Sequence, residues 1–158
     1  MPRAEFVVAR GLYPNWRKLV RPFLGDEPRV LTTRCDNDDA VHKDFVDVIQ
    51  QAAVGLAHST VVDPRVGYQM NLGTLRCGIR RLAWPSPFCS LIEDRNRKWT
   101  TVFCGNHADL RKRHAYHAIK GPPLWVQICH RRNIQNHVRT KLKLDWADIA
   151  ADFGQVEI

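Results

Sequence analysis

The chain has 158 residues, of which 44% are hydrophobic, enough to form the core of one domain. It contains no apolar run of membrane-spanning length, and its first eleven residues lack the hydrophobic region and cleavage site of a secretory signal. Five widely spaced cysteines without a Cys-x-x-Cys pair argue against a disulfide framework and a four-cysteine zinc site. We therefore expect a cytoplasmic protein with reduced thiols.

The chain is strongly basic. A formal net charge of +8 arises from 24 Lys and Arg against 16 acidic residues, and the excess clusters at 95–98, 111–113 and 131–143. Such a surface attracts phosphate groups, nucleic acid or an anionic membrane, although the solvated faces of an ordinary protein carry similar clusters. Charge alone does not choose among these partners.

The first third of the chain alternates between strand and helix patterns. We predict a buried strand at Ala4–Ala9, a helix at Pro14–Leu24 interrupted near Pro22, and a second strand at Pro28–Arg34. The segment from Asp38 to Ala53 then carries apolar residues at helical spacing, which predicts a longer helix. This order is typical of a β-α-β unit.

The rest of the chain predicts a mixed sheet. Short apolar runs between Ser59 and Phe103 indicate antiparallel strands, including "WTTVFC". They are followed by a helix at His107–Ile119, a strand at Leu124–His130 and a short final helix at Asp145–Phe153. We therefore expect a single compact α/β domain, with a nucleotide-binding part at 1–58 and an acceptor-side part at 59–158.

Three aspartates, Asp36, Asp38 and Asp39, directly follow the strand "VLTTR". Ligands of open α/β sheets bind beyond the carboxyl ends of the strands, and an Asp-x-Asp pair can hold a divalent cation that also binds diphosphate oxygens. The alternative is that Asp36 and Asn37 form a turn while Asp38 or Asp39 caps the following helix. Capping accounts for one acid of the three.

Three blocks in this order resemble the putative rhamnosyltransferase family of bacterial GT-A-type glycosyltransferases. They are "TTRCDNDDAVHKDFVDVIQ", then "PFCSLIED" with "TTVFCGNHADL", and finally "LWVQICHRRNIQN". The resemblance implies a GT-A-like (Rossmann-like) mixed sheet flanked by helices and a nucleotide-diphosphate sugar as donor. It also implies Mn²⁺ or Mg²⁺ held by Asp36 and Asp38, with His130 as a further metal ligand; His130 is otherwise an exposed loop residue.

The chemistry of glycosyl transfer suggests roles for other residues. Glu93, and after it Asp94, is the candidate base that activates the acceptor hydroxyl, and the alternative is that both pair with Arg95 and Arg97. The candidate donor-binding residues are Arg34, Asn37, Asp39, Arg131, Arg132, Asn133 and Asn136. The alternatives are that Arg34 only balances the aspartates and that Asn133 and Asn136 form turns. We expect a glycan or lipid-linked acceptor, a peripheral contact with the membrane, and no nucleic acid.

Two alternatives to a transferase stay open. Relatives carry a longer segment before the Asp-x-Asp, whereas 35 residues precede Asp36 here, so we expect an N-terminally shortened chain that is either a minimal enzyme or a non-catalytic remnant. The other alternative is a basic nucleic-acid-binding module with a metal site. Its candidate ligands are Cys104, His107, His114 and His117, and its candidate stacking residues are Trp99, Tyr116 and Trp125.

Overall fold

Two β-sheets organise residues 15–132 and 137–154, the part of the chain that the computed structural model describes. The first sheet contains, in spatial order, β1 (Arg29–Thr33), β6 (Ser90–Asp94), β3 (Thr60–Pro64) and β7 (Ala115–Ile119). The second contains β2 (Ala40–Val41), β8 (Trp125–Cys129), β4 (Val66–Asn71), β5 (Arg76–Arg81) and β9 (Leu144–Asp145). The helices are α1 (Trp16–Val20), α2 (Phe45–Ala53), α3 (His107–Arg113) and α4 (Ala150–Phe153), with 3-10 turns at Arg21–Phe23 and Trp146–Asp148.

Two bent ribbons join the sheets. Strand β3 ends at Pro64 and β4 begins at Val66, so this ribbon passes from the first sheet into the second at Arg65. Strands β7 and β8 form the other ribbon, because β7 pairs parallel with β3 and β8 pairs parallel with β4. Each ribbon therefore contributes one strand to each sheet.

The direction of the strands decides which loops share an edge. Strand β6 is antiparallel to both β1 and β3, so β1 and β3 run in the same direction. The register pairs Thr33 with Ser90 and Arg29 with Asp94. The carboxyl ends of β1, β3 and β7 thus lie along one edge of the first sheet, whereas β6 ends at the opposite edge.

Trp125 fills the corner where the ribbons bend. Its ring stacks on Phe88 at a centroid distance of 4.9 Å, and its Nε1 donates a hydrogen bond of 2.6 Å to the carbonyl oxygen of Pro64. Gly67 lies directly beneath the indole, and a Cβ at this position would overlap the ring. The corner therefore needs a residue without a side chain opposite Trp125.

Helices cover the sheets through buried apolar side chains. Helix α2 packs Phe45, Ile49 and Ala53 into the cluster that contains Trp125. The C-terminal segment packs Trp146 and Ile149 against the second sheet in another cluster, together with Met70, Cys77 and Val126. Within the described ranges, no helix is both long enough and apolar enough to cross a bilayer.

Much of the predicted architecture is confirmed. The chain is mixed α/β; β1 and β8 lie where strands were predicted; and α1 gives way to a 3-10 turn that contains Pro22. The predicted antiparallel strands include β4 and β5, which pair from Val66 to Arg81. The strands form two sheets rather than one, and the predicted strand at Ala4–Ala9 lies outside the described residues.

The predicted helix cap at Asp38 or Asp39 is wrong. Helix α2 begins only at Phe45, and Asp44 occupies its N-cap position. Residues 40 and 41 instead form β2, which pairs with β8, because the Asp39 carboxylate accepts a hydrogen bond from the Ile128 N–H and joins this segment to the second sheet. The acidic residues are therefore free of any capping role.

Two further predictions are wrong. The segment Ala115–Ile119 continues a helical pattern but forms β7, because five residues of it pair with β3. The segment "WTTVFC" forms turns instead of a strand. Thr101 adopts a positive φ of 117°, and the Glu93 carboxylate accepts hydrogen bonds from the backbone N–H groups of Thr100 and Thr101.

We expect Gly67→Ala to destabilise the protein by about 1–3 kcal/mol, because the added methyl group displaces Trp125 from the corner. Urea unfolding followed by tryptophan fluorescence measures this change in the free energy of unfolding. Gly25→Ala is the matched control, since a Cβ at that position meets no atom within 4 Å. Equal stability of the two variants would contradict the role of Trp125 described above.

Candidate active site

The acidic loop, Arg34–Asp39, connects the end of β1 to β2 and therefore leads from one sheet into the other. Asp36 to Asp39 form a tight turn, closed by a hydrogen bond of 3.2 Å from the Asp39 N–H to the Asp36 carbonyl oxygen. Asn37 lies exposed within this turn. The turn that the sequence indicated is thus present, and it holds three carboxylates at the carboxyl edge of the first sheet.

Asp36 is paired with Arg34 within the loop. The Arg34 Nη2 and Nε atoms lie 3.2 and 3.3 Å from Asp36 Oδ1. The Arg34 backbone N–H donates to the carbonyl oxygen of Cys89, which precedes β6, so the arginine is anchored on the sheet. Arg34 therefore balances the charge of one aspartate.

Asp38 is joined to His130, which follows the last residue of β8. His130 Nε2 lies 3.0 Å from Asp38 Oδ2, and both side chains are partly buried. The Arg132 backbone N–H donates to His130 Nδ1 at 3.2 Å, so in this tautomer the ring proton is on Nε2. The structure thus brings together two of the three predicted metal ligands from different sheets.

Asp39 faces the interior of the site. Its Oδ1 accepts a hydrogen bond of 2.9 Å from the Ile128 N–H, whereas its Oδ2 is buried and has no hydrogen-bond partner among the described residues. Burial raises the pKa of Asp39 to about 7, and the charges of Asp38 and Asp36 add to this effect. A buried carboxylate oxygen without a partner is a point at which a cation or a proton is stabilised.

In this conformation the candidate metal ligands do not form a complete metal site. Among residues 15–132 and 137–154, no three His, Cys, Asp or Glu side chains come together closely enough to hold a metal ion. To bind a metal ion, Asp36 would have to break its pair with Arg34. For Nε2 of His130 to bind the ion, the ring proton would have to move to Nδ1, which would break the hydrogen bond from the Arg132 N–H. The carboxylate and imidazole groups are nevertheless ligands that Mn²⁺ accepts.

The other predicted donor-binding residues border the same site. Arg131 and Arg132 are exposed and follow His130 directly. Asn133 and Asn136 lie outside the described residues. Basic side chains therefore stand on both sides of the aspartates, with Arg34 on the β1 side and the arginine pair on the β8 side.

His107, the first residue of α3, also lies near the acidic loop, although the sequence analysis placed it among the candidate ligands of a Cys/His metal site. Burial and the positive charge of Arg34 lower the pKa of His107, while Asp36 and Asp63 act in the opposite direction. Its Nδ1 atom is buried without a hydrogen-bond partner in the described part of the chain. A partly buried imidazole thus lies near the acidic loop, and only the packing of α3 reveals it.

Glu93 and Asp94 lie away from the acidic loop. Glu93 is 2% exposed, and its carboxylate is hydrogen-bonded to Thr100 and Thr101. Asp94 pairs with Arg29 at 3.3 Å, not with Arg95 or Arg97 as the alternative supposed. Both acids stand at the opposite edge of the sheet, because β6 runs antiparallel to β1. This location does not favour either residue as the catalytic base.

The Cys/His series is divided among three places. Cys104 Sγ and His114 Nε2 are 3.5 Å apart, and His114 Nδ1 lies 2.7 Å from Ser59 Oγ. His117 is exposed on β7, while His107 is near Arg34. The structure does not bring the four proposed zinc ligands together. Trp99 and Trp125 are buried in the core and are not available for stacking on bases.

A family model described as "Putative rhamnosyl transferase" matches residues 16–142, which is most of the chain. Neither a curated protein nor a solved structure matches significantly. The matched range includes the acidic loop, His130 and both acids at the end of β6.

We expect Glu93→Gln to destabilise the fold by about 1–3 kcal/mol, because the amide keeps one acceptor oxygen and places an NH₂ donor against the N–H group of either Thr100 or Thr101. Thermal unfolding followed by circular dichroism measures the change. Asp94→Asn is the control, and its partly exposed ion pair with Arg29 contributes only about 0–1 kcal/mol. A Glu93→Gln variant as stable as wild type would show that the carboxylate does not hold this loop.

Proposed function

This chain belongs to the family described as "Putative rhamnosyl transferase", and we propose that it transfers a sugar, rhamnose in the simplest case, from a nucleotide-diphosphate donor in a metal-dependent reaction. The family membership supports a glycosyltransferase. The observation that carries the finer proposal is the convergence of three aspartates and His130 at one sheet edge, with arginines on both sides. The acceptor is a glycan or a lipid-linked saccharide.

The arrangement of the first sheet supports a GT-A-like binding site. Strands β1, β3 and β7 point toward the same edge, and the acidic loop follows the carboxyl end of β1. In open α/β sheets this edge is where nucleotides bind. The second sheet closes one side of the site, since β8 delivers His130 to Asp38.

A divalent cation fits the chemistry of this donor set. Asp36, Asp38 and His130 would hold Mn²⁺ or Mg²⁺, and the buried Oδ2 of Asp39 gains a positive charge nearby. When bound, the cation neutralises the charge that develops on the leaving diphosphate. If Asp36 held the cation, its pair with Arg34 would be broken, and the Arg34 guanidinium would be available to a donor phosphate.

The chain's own residues supply the remaining steps. Arg34, Arg131 and Arg132 bind diphosphate oxygens, because a guanidinium fork matches phosphate geometry. Asn37 and Asp39 border the same space and orient the donor. The acceptor hydroxyl oxygen then bonds to the anomeric carbon, the bond from that carbon to the diphosphate breaks, and the hydroxyl proton passes to a base.

We expect Mn²⁺ together with one nucleoside diphosphate to raise the stability of the wild type by about 2.7 kcal/mol at a ligand concentration 100-fold above Kd. Asp38→Asn should lose this stabilisation, because the variant keeps the shape of the side chain but removes the charge that faces the metal. A thermal-shift titration with UDP, dTDP, GDP and CDP, with and without Mn²⁺, measures the effect.

Asp47→Asn is the matched control for this titration. Asp47 lies exposed in the first turn of α2, so the substitution removes the same charge away from the acidic loop. The control should respond to Mn²⁺ and nucleotide like the wild type. If no nucleotide shifts the wild type in the presence of Mn²⁺, the proposed donor site is contradicted and a non-catalytic relative of the family is favoured.

We further expect the wild type to release nucleoside diphosphate from a nucleotide-rhamnose donor when Mn²⁺ and an acceptor are present. Asp38→Asn should reduce this release to the background of the buffer, whereas Asp47→Asn should leave it unchanged. Chromatography of the released nucleotide gives the rate. Transfer that continues after chelation of the metal would exclude a metal-dependent mechanism without excluding a glycosyltransferase.

A further inference from the structure

A basic cavity of about 350 Å³ lies at the bend between the two sheets, where β3 and β7 end, and no residue of the acidic loop lines it. Three basic side chains line it, each from a different chain segment: Arg65 between β3 and β4, Arg81 at the end of β5, and Lys120 after β7. No acidic side chain of the described residues lines it. The cavity is therefore a concentration of positive charge that the proposed transfer reaction does not use.

Of the three basic side chains, Arg65 is held by hydrogen bonds, and Arg81 and Lys120 are exposed to solvent. Arg65 donates from Nε and Nη2 to the carbonyl oxygen of Leu82, at 2.7 and 2.5 Å, which orients its guanidinium at the cavity. Arg81 and Lys120 are exposed, and in residues 15–132 and 137–154 none of the three forms an ion pair. Their charge is thus available to an anionic ligand.

Apolar side chains also line the cavity. Val66, Leu82 and Ile119 contribute to the lining. Close by in sequence, Ile79 and Trp84 are 46% and 50% exposed, which is unusual for such large apolar side chains. Ile79 stands on the same face of β5 as Arg81, two residues away. Exposed apolar side chains therefore lie on both sides of the cavity-lining residues Arg81 and Leu82 in the sequence.

We propose that this surface binds an anionic membrane, with the basic cavity receiving the phosphate of a lipid head group. Arginine and lysine bind phosphate, and basic residues near an anionic leaflet each add to membrane affinity. Trp84 and Ile79 enter the interface between head groups and acyl chains, where tryptophan is favoured. One cavity admits one head group, whereas a nucleic acid would need a groove that follows its backbone.

The decisive experiment compares two double variants that change the net charge equally. Arg81→Glu/Lys120→Glu reverses the charge at the cavity, and Arg97→Glu/Lys98→Glu does so at exposed residues after β6. Co-sedimentation uses vesicles of phosphatidylcholine alone and of equal parts phosphatidylcholine and phosphatidylglycerol. We expect the wild type to bind only the anionic vesicles, and the cavity variant to bind them at least about 30-fold more weakly. The control should keep most of its affinity.

Fluorescence gives a second, independent measurement. Of the tryptophans at positions 16, 84, 99, 125 and 146, Trp84 is the one that the structure leaves half exposed. Its emission should shift to the blue when anionic vesicles are added, and Trp84→Phe should abolish that shift. Should the charge-reversal variant fail to fold, Arg81→Gln/Lys120→Gln provides the same comparison against Arg97→Gln/Lys98→Gln.

Several outcomes would overturn the proposal. These are a wild type that does not bind anionic vesicles, an equal loss in the cavity and control variants, and stabilisation by inorganic phosphate without vesicle binding. Binding of RNA that is lost in the cavity variant, without vesicle binding, would also overturn it. Asp38→Asn should bind vesicles like the wild type, which separates a failure of this proposal from a failure of the proposed donor site.

Discussion

The position of the candidate site depends on the contact of Trp125 with the corner between the sheets. The indole lies over Gly67, stacks on Phe88 and donates to the carbonyl oxygen of Pro64, so it touches both arms of the bent β3–β4 ribbon. Trp125 is also the first residue of β8. Once it is fixed, the direction of β8 is set, and the opposite end of that strand brings His130 to Asp38.

The acidic loop is held by charges that a ligand can redistribute. Asp36 is paired with Arg34, Asp38 is hydrogen-bonded to His130, and Asp39 accepts from one backbone N–H, while the second oxygen of Asp39 has no partner within the described residues. Each aspartate thus has a different partner, although the three are adjacent in sequence. A cation would replace these separate contacts with a common one, which explains how negative charge accumulates in a basic protein.

Local sequence patterns predicted where strands and turns occur better than they predicted the relative directions of the strands. The strands around Val30 and Val126 and the turn at Asp36 follow from alternation and turn residues, whereas His130 was proposed from the family resemblance. Glu93 shows the limit. It also lies at a strand end, but β6 is antiparallel to β1, and the direction of a strand depends on distant partners. His107 was missed for the same reason, since only the packing of α3 brings it to the acidic loop.

The two bent ribbons also determine how the chain can fold. Thr60 pairs with Ala115 and Tyr68 with Val126, so the first ribbon finds its parallel partner more than fifty residues later in the chain. Loop closure over such a distance precedes any gain from pairing, which slows folding of parallel topologies. During synthesis the first ribbon leaves the ribosome with one side unpaired, and a chaperone that shields β3 and β4 until β8 emerges would prevent its aggregation.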